Sequence, residues 1–293
     1  MIYSLKIRII SIVLVLTMLV VSVPSIAFAK DVEGERVTLG ADLDESQIAK
    51  IYDDFGIERG SVKELKVTND EERDYLEGLV PDRKIGKVAL SCIYIKTEGE
   101  GLSISTNNIN WCTSQMYVNA LTTAGIRNAV VKVSAPYEVS GTAALTGIYK
   151  AYEDITGEKL PELNKEVGTE ELVTTGQLAE LIGSNEATQI INELKKMLGE
   201  IKNMTDAELK QEIRRIADTY NVEIDDEMIN RLVALCRQME KLDIDALREG
   251  LLDIAAVVDK ASKASSSISN FFAKIGDFFT SIFDFFANLF GKK

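Results

Sequence analysis

The sequence predicts an α+β protein: an N-terminal mixed sheet with packed helices, followed by an all-helical bundle and an amphipathic C-terminal helix. Three observations carry this. From residue 36 to about 157, runs with a period of two alternate with runs of helical period. From about Thr169 strand signals stop and only helical stripes recur. The last 25 residues hold eight of the chain's ten phenylalanines at helical spacing.

In order, Arg36–Leu39 (RVTL) reads as a strand. Asp44 then caps a helix, with Gln47 completing a capping box and Leu43 and Ile48 as its staple. Ile48, Ile51, Tyr52 and Phe55 form its apolar face, and Gly56 stops it. VKELKV (62–67) is a strand. Thr68 and Glu71 open a helix that must end before Pro81. Lys87–Thr97 is the longest strand candidate, and EGEG (98–101) turns it into LSIST (102–106) as a hairpin. Thr113 caps a helix through Tyr117, Ala120, Leu121 and Ala124. NAVVKV (128–133) is a strand, and SGTAALTGIYKAYEDITG (140–157) a helix with Leu145, Ile148, Tyr149 and Tyr152 on one face. The order is β-α-β-α-β-β-α-β-α, which a mixed sheet covered by helices satisfies.

Beyond it, Ile190, Leu194, Met197 and Ile201 form one stripe. Leu209, Ile213, Ile216 and Tyr220 form another, behind a capping box at Thr205 and Glu208. Ile229–Met239 and the series Leu247, Leu251, Ile254, Val258 add two more, so a small bundle is expected. The units are 1–29 (leader), 30–160 (sheet domain), 161–262 (helical domain) and 263–293 (tail). Gly157–Gly168 is the expected boundary, and Ser262–Asn270 a second hinge.

The N-terminus reads as an export signal. Lys6 and Arg8 precede the apolar run Ile9–Val23. Pro24 ends it, and Ala27-Phe28-Ala29 has the small-x-small pattern of a cleavage site. The run falls short of the ~20 residues a spanning helix needs. The mature chain is expected to begin at Lys30, outside the cytoplasm. Loss of Lys6 and Arg8 takes the formal charge from −13 to about −15. Such an acidic body repels phosphate backbones, so nucleic acid is not an expected partner.

The chain has no histidine. That excludes Ser-His-Asp triads, Cys-His pairs and His-based metal sites. An enzyme here would need carboxylates, Lys, Tyr or a carboxylate-bound metal. No metal site and no cofactor are expected. Asp42, Asp44 and Glu45 are close enough in sequence to suggest Ca²⁺, but the glycine and distal Glu of an EF-hand loop are missing. NDEERD (69–74) and DDE (225–227) sit at helix starts, where negative charge suits the dipole and a solvated face is the default. Of the three cysteines, Cys236 lies on a helical apolar face and reads as a buried thiol. Export permits a disulfide between Cys92 and Cys112.

Gly141 and Thr142, between a strand and a helix start, form a weak candidate anion site through free N–H groups. The stretch lacks the glycines and lysine of a P-loop, and capping by Ser140 or Thr142 is the plainer expectation. Trp111 is either a core anchor or an exposed ligand platform.

In the tail, Ile268, Phe271, Ile275, Phe278, Ile282, Phe285 and Leu289 step by three and four. Phe272, Phe279, Phe283, Phe286 and Phe290 widen that stripe. Charges recur too often for a spanning helix. Three uses stay open: lying in a lipid interface, self-association, and docking on the protein's own body.

The stretches VTLGADL, VTNDEERDYLEGLVPDRKIG, NINWCTSQMYVNALTTAGI and VSAPYEVSGTAALTGIYKAYEDITG together resemble the YpuA-like family of secreted Gram-positive proteins, a domain-of-unknown-function family. The resemblance is specific over Arg36–Gly157. It implies export from a Gram-positive cell and an envelope role, and it brings no catalytic residues. Two function classes follow: a non-enzymatic envelope protein attached or assembled through its tail, and a carboxylate-based, histidine-free hydrolase acting on wall material.

Overall fold

The computed structural model describes residues 34–80, 85–98 and 101–251. The leader, the Ser262–Asn270 hinge and all tail residues from Ile268 to Phe290 lie outside the described residues, as do Ile254 and Val258.

The N-terminal half follows the predicted order: β1 (Glu35–Gly40), α1 (Glu45–Phe55), β2 (Lys63–Val67), α2 (Asn69–Leu76), β3 (Cys92–Lys96), β4 (Leu102–Ile109), α3 (Ser114–Ala124), β5 (Ala129–Val139) and α4 (Thr142–Thr156). Local chemistry sets these ends. Asp44 and Thr68 form capping boxes with Gln47 and Glu71, and Thr113 accepts from the Met116 N–H. Gly56 and Gly125 close α1 and α3 in left-handed caps.

The five strands lie in the order β2-β1-β3-β5-β4. β1 and β2 are parallel, as are β4 and β5, and β3 runs antiparallel to both β1 and β5. The expected β3–β4 hairpin is therefore not formed, because β5 lies between them. A parallel pair needs a crossover, and α3 supplies it from β4 to β5. Once β5 returns beside β4 it fills the free edge of β3, whose other edge holds β1.

Alternation along β3 sends successive side chains to opposite faces. Cys92 and Tyr94 join Val37, Leu39 and the α1 residues Ile48, Ile51, Tyr52 and Phe55. Ile93 and Ile95 join Val131, Val133, Tyr117, Leu121, Leu145 and Ile148 beneath α3 and α4. Cys112 belongs to this second core. The Cys92–Cys112 disulfide allowed by export is thus absent: neither cysteine is bridged, and both are buried, on opposite sides of the sheet. Burial pushes the Cys92 thiol up to about 12.

The remaining chain forms α5 (Glu162–Ile182), α6 (Ser184–Lys196), α7 (Leu198–Ile201), α8 (Asp206–Thr219) and α9 (Asp226–Met239), with residues 244–251 again helical. Ile190, Leu194, Ile201, Leu209, Ile213, Leu232 and Cys236 share one core, so the predicted stripes do meet. Gly157 ends α4, but Gly168 lies inside α5. The expected boundary stretch is a connection only as far as Pro161. Gly168 lets α5 press on α3: a Cβ there would sit 2.6 Å from the Ala120 carbonyl oxygen. A polar knot crosses this contact. Lys195, wholly buried on α6, donates to Glu171 Oε1 at 2.8 Å, to Thr123 Oγ1 at 2.9 Å and to the Asn119 carbonyl at 3.1 Å. Burial lowers the Lys195 pKa against the pull of Glu171.

Candidate functional site

An open cleft of about 670 Å³ lies at the carboxyl ends of the parallel pair β4 and β5. In open α/β sheets this is where ligands settle, because the strands' following helices begin there. Its lining comes from α2 (Glu72), the 85–91 segment (Gly86, Val88, Ser91), the turn after β4 (Asn110, Trp111), the end of β5 (Glu138, Val139), the α4 start (Ser140, Thr142) and α5 (Glu180).

The backbone around it is pinned. Asn110 N–H donates to the Val139 carbonyl and Cys112 N–H to that of Ser140, both at 3.0 Å. Asn108 takes a left-handed φ of 56° beside a β4–β5 bulge, and its amide donates to the Ala135 carbonyl at 2.8 Å. The Tyr117 hydroxyl donates to the Gly141 carbonyl at 2.6 Å. Gly141 itself has φ +92°, and a Cβ there would collide with that hydroxyl and with Ile109.

Gly141, not Ser140 or Thr142, is the N-cap of α4, and no side chain caps this helix. The expected capping role is overturned because both hydroxyls are engaged elsewhere. Thr142 Oγ1 donates to Glu72 Oε1 at 2.6 Å, and Ser140 Oγ lies 3.1 Å from Thr142 Oγ1. Of the two residues expected as a weak anion site, Thr142 lines the cleft, with the Glu72 carboxylate against it, while Gly141 supplies the backbone turn behind the wall.

Glu72 is the residue the sequence reading missed. It was grouped with the solvated charges of NDEERD, yet it is 1% exposed. Burial pushes its carboxyl up to about 7, against the opposing effects of Thr142, Asn69 and Arg73. One signal was available: Glu72 lies four residues before Leu76, hence on the same helical face as a fully buried side chain.

Trp111 does both things expected of it in part: it packs against the core beneath α3 and α4, and it also faces the cleft. It is half-buried in the cleft wall, and its indole N–H donates to Glu180 Oε1 at 2.8 Å. Gly176, one turn earlier on α5, lets the ring approach the helix. A Cβ there would overlap it, 2.7 Å from Cη2 and 2.8 Å from Cε2. Glu180 also borders a smaller cavity of about 230 Å³ with Leu181, Asp225 and Arg231.

The three carboxylates considered for Ca²⁺ have protein partners. Asp42 accepts from the Ala89 N–H at 2.7 Å, Asp44 caps α1, and Glu45 pairs with Arg59. Among the described residues no group of three or more His, Cys, Asp or Glu is arranged to hold a metal. Nor, among them, is any helix long and apolar enough to cross a membrane.

The family described as "Protein of unknown function (DUF1002)" matches residues 39–250. The chain is also 38% identical to "Uncharacterized protein YpuA" of Bacillus subtilis (strain 168) over 258 residues, which is 86% of each chain. No solved structure matches it. The matched span runs from the end of β1 through α9, the cleft and the bundle together, and with that relative it makes this chain a member of the DUF1002 family, the YpuA-like proteins.

Proposed function

We propose that this protein is exported and works at the cell envelope as a binding module, with the β4–β5 cleft as its ligand site and the phenylalanine-rich tail as its attachment or assembly device. The cleft carries the reading: it is open, of a size typical of small-ligand sites, and lined about equally by polar and apolar groups on pinned backbone. Export rests on the leader-like N-terminus, and attachment on the tail's apolar stripe. The chain's single tryptophan, Trp111, lies in the cleft wall and reports on it. Sequencing the N-terminus of protein from medium, wall and membrane fractions tests export, with Lys30 expected and an intact Met1 overturning it. Titration with solubilised wall fragments, read by Trp111 emission, tests the cleft. An unchanged spectrum removes its role.

One observation favours a second reading, histidine-free acid–base chemistry. Glu72, near neutral in pKa, connects through Thr142 to Ser140 inside the cleft. Turnover of wall polymers that disappears in Glu72→Gln would establish it. Turnover unchanged in that variant removes Glu72 from the chemistry.

A further inference from the structure

We infer that the cleft is a saccharide site, built for an uncharged, hydroxyl-rich chain. This rests on the binding reading above and names its ligand class. A sugar ring presents C–H surface and hydroxyls that both donate and accept. It is matched by an indole beside acceptors and small polar groups, a pairing of one apolar body with a few placed polar groups. Here Trp111 supplies the indole, Glu138 and Glu180 the acceptors, and Asn110 and Ser140 groups that both donate and accept. The indole is held in advance: Gly176 admits it against α5, and its N–H is fixed on Glu180. A platform ordered before binding loses little freedom on binding. Val88, 49% exposed, adds apolar surface to the same wall.

The lining also selects against other classes. Its described lining carries three carboxylates, and the two exposed ones, Glu138 and Glu180, would repel a phosphate or carboxylate ligand. Glu72 meanwhile is turned onto Thr142 within the wall. It holds the α4 start in place and leaves the exposed Glu138 and Glu180 as the acceptors.

The test uses the exported chain from Lys30 and four soluble tetramers: glucose, N-acetylglucosamine, glucosamine and galacturonate. Trp111 emission and calorimetry are read together. At least one of the two neutral tetramers is expected to bind with a Kd of about 1 mM or tighter and to shift the emission. That binding should persist in high salt, since no ion pair carries it. Glu138 is exposed, so Glu138→Ala leaves the fold intact. It is expected to weaken binding about tenfold, the effect of losing a charged hydrogen-bond acceptor. Three results overturn the inference: no response to either neutral tetramer, galacturonate binding as well as they do, or binding of glucosamine alone that vanishes in salt. If the cleft answers to solubilised wall fragments while both neutral tetramers stay silent, the binding role stands and the saccharide assignment falls.

Discussion

Replacing Glu72 with Gln tests the central feature of the cleft. The carboxyl is 1% exposed, and burial moves its pKa from an ordinary 4.5 to about 7. Each pKa step corresponds to about 1.4 kcal/mol. The ionised form is therefore about 3 kcal/mol less well accommodated in the fold than in the unfolded chain. Because the folded pKa is raised, this group's contribution is fully present below pH 4.5. It declines as pH rises and is lost as pH passes through about 7. Gln cannot ionise, yet it keeps an oxygen for the Thr142 hydroxyl. Wild type and Glu72→Gln should then match at about pH 4, below the unfolded pKa, and begin to part by pH 5. By pH 8 the variant should be more stable by up to about 3 kcal/mol, or about 6–12 °C in Tm for a chain of this size. Urea unfolding of both proteins at pH 4, 5, 6, 7 and 8, at constant ionic strength, measures this. Other titrating groups are common to both and cancel in the difference. A difference that stays flat from pH 5 to 8 would refute the argument that Glu72 is held uncharged by its surroundings.

Gly176→Ala should displace Trp111, cost about 1–3 kcal/mol as overpacking does, and shift tryptophan emission in the folded state; an unshifted spectrum counts against Gly176 placing the ring. Lys195→Met should cost about 3–5 kcal/mol, because it strands Glu171 in the interior, and adding Glu171→Leu should recover most of that. A single-variant loss below about 1 kcal/mol in urea unfolding would show that the pair is not a dry, fixed contact. Full-length mature protein should float with phosphatidylcholine liposomes at low and high salt, and a version ending at Ser267 should not. Half burial of six of the tail's large apolar side chains is worth about 5–9 kcal/mol before ordering costs. Protein that stays unbound and monomeric points to a tail docked on its own body. Protein that is dimeric until truncated points to self-association.

What the sequence determined by itself were features whose causes lie within a turn or two of chain. Capping boxes at Asp44, Thr68 and Thr205 announced helix starts, because a side chain and a backbone N–H three residues on satisfy one another whatever surrounds them. The order of strands and helices, and the stripes that became the bundle core, followed from periodicity alone. Tertiary structure decided what depends on residues far apart. EGEG looked like a hairpin turn, but the neighbour of β4 was chosen by the α3 crossover, which brought β5 between β3 and β4. Cys92 and Cys112 looked able to pair until the sheet placed one on each face. Nothing local to the sequence marks Lys195 and Glu171, which form a buried pair because α5 and α6 close over them beside α3. The cleft needed the same long-range placement. Glu72 and Thr142 are 70 residues apart, as Trp111 and Glu180 are 69. Only the packing of α2 and α5 around the ends of β4 and β5 brings them together, and only desolvation there turns an ordinary glutamate into one that titrates near neutrality.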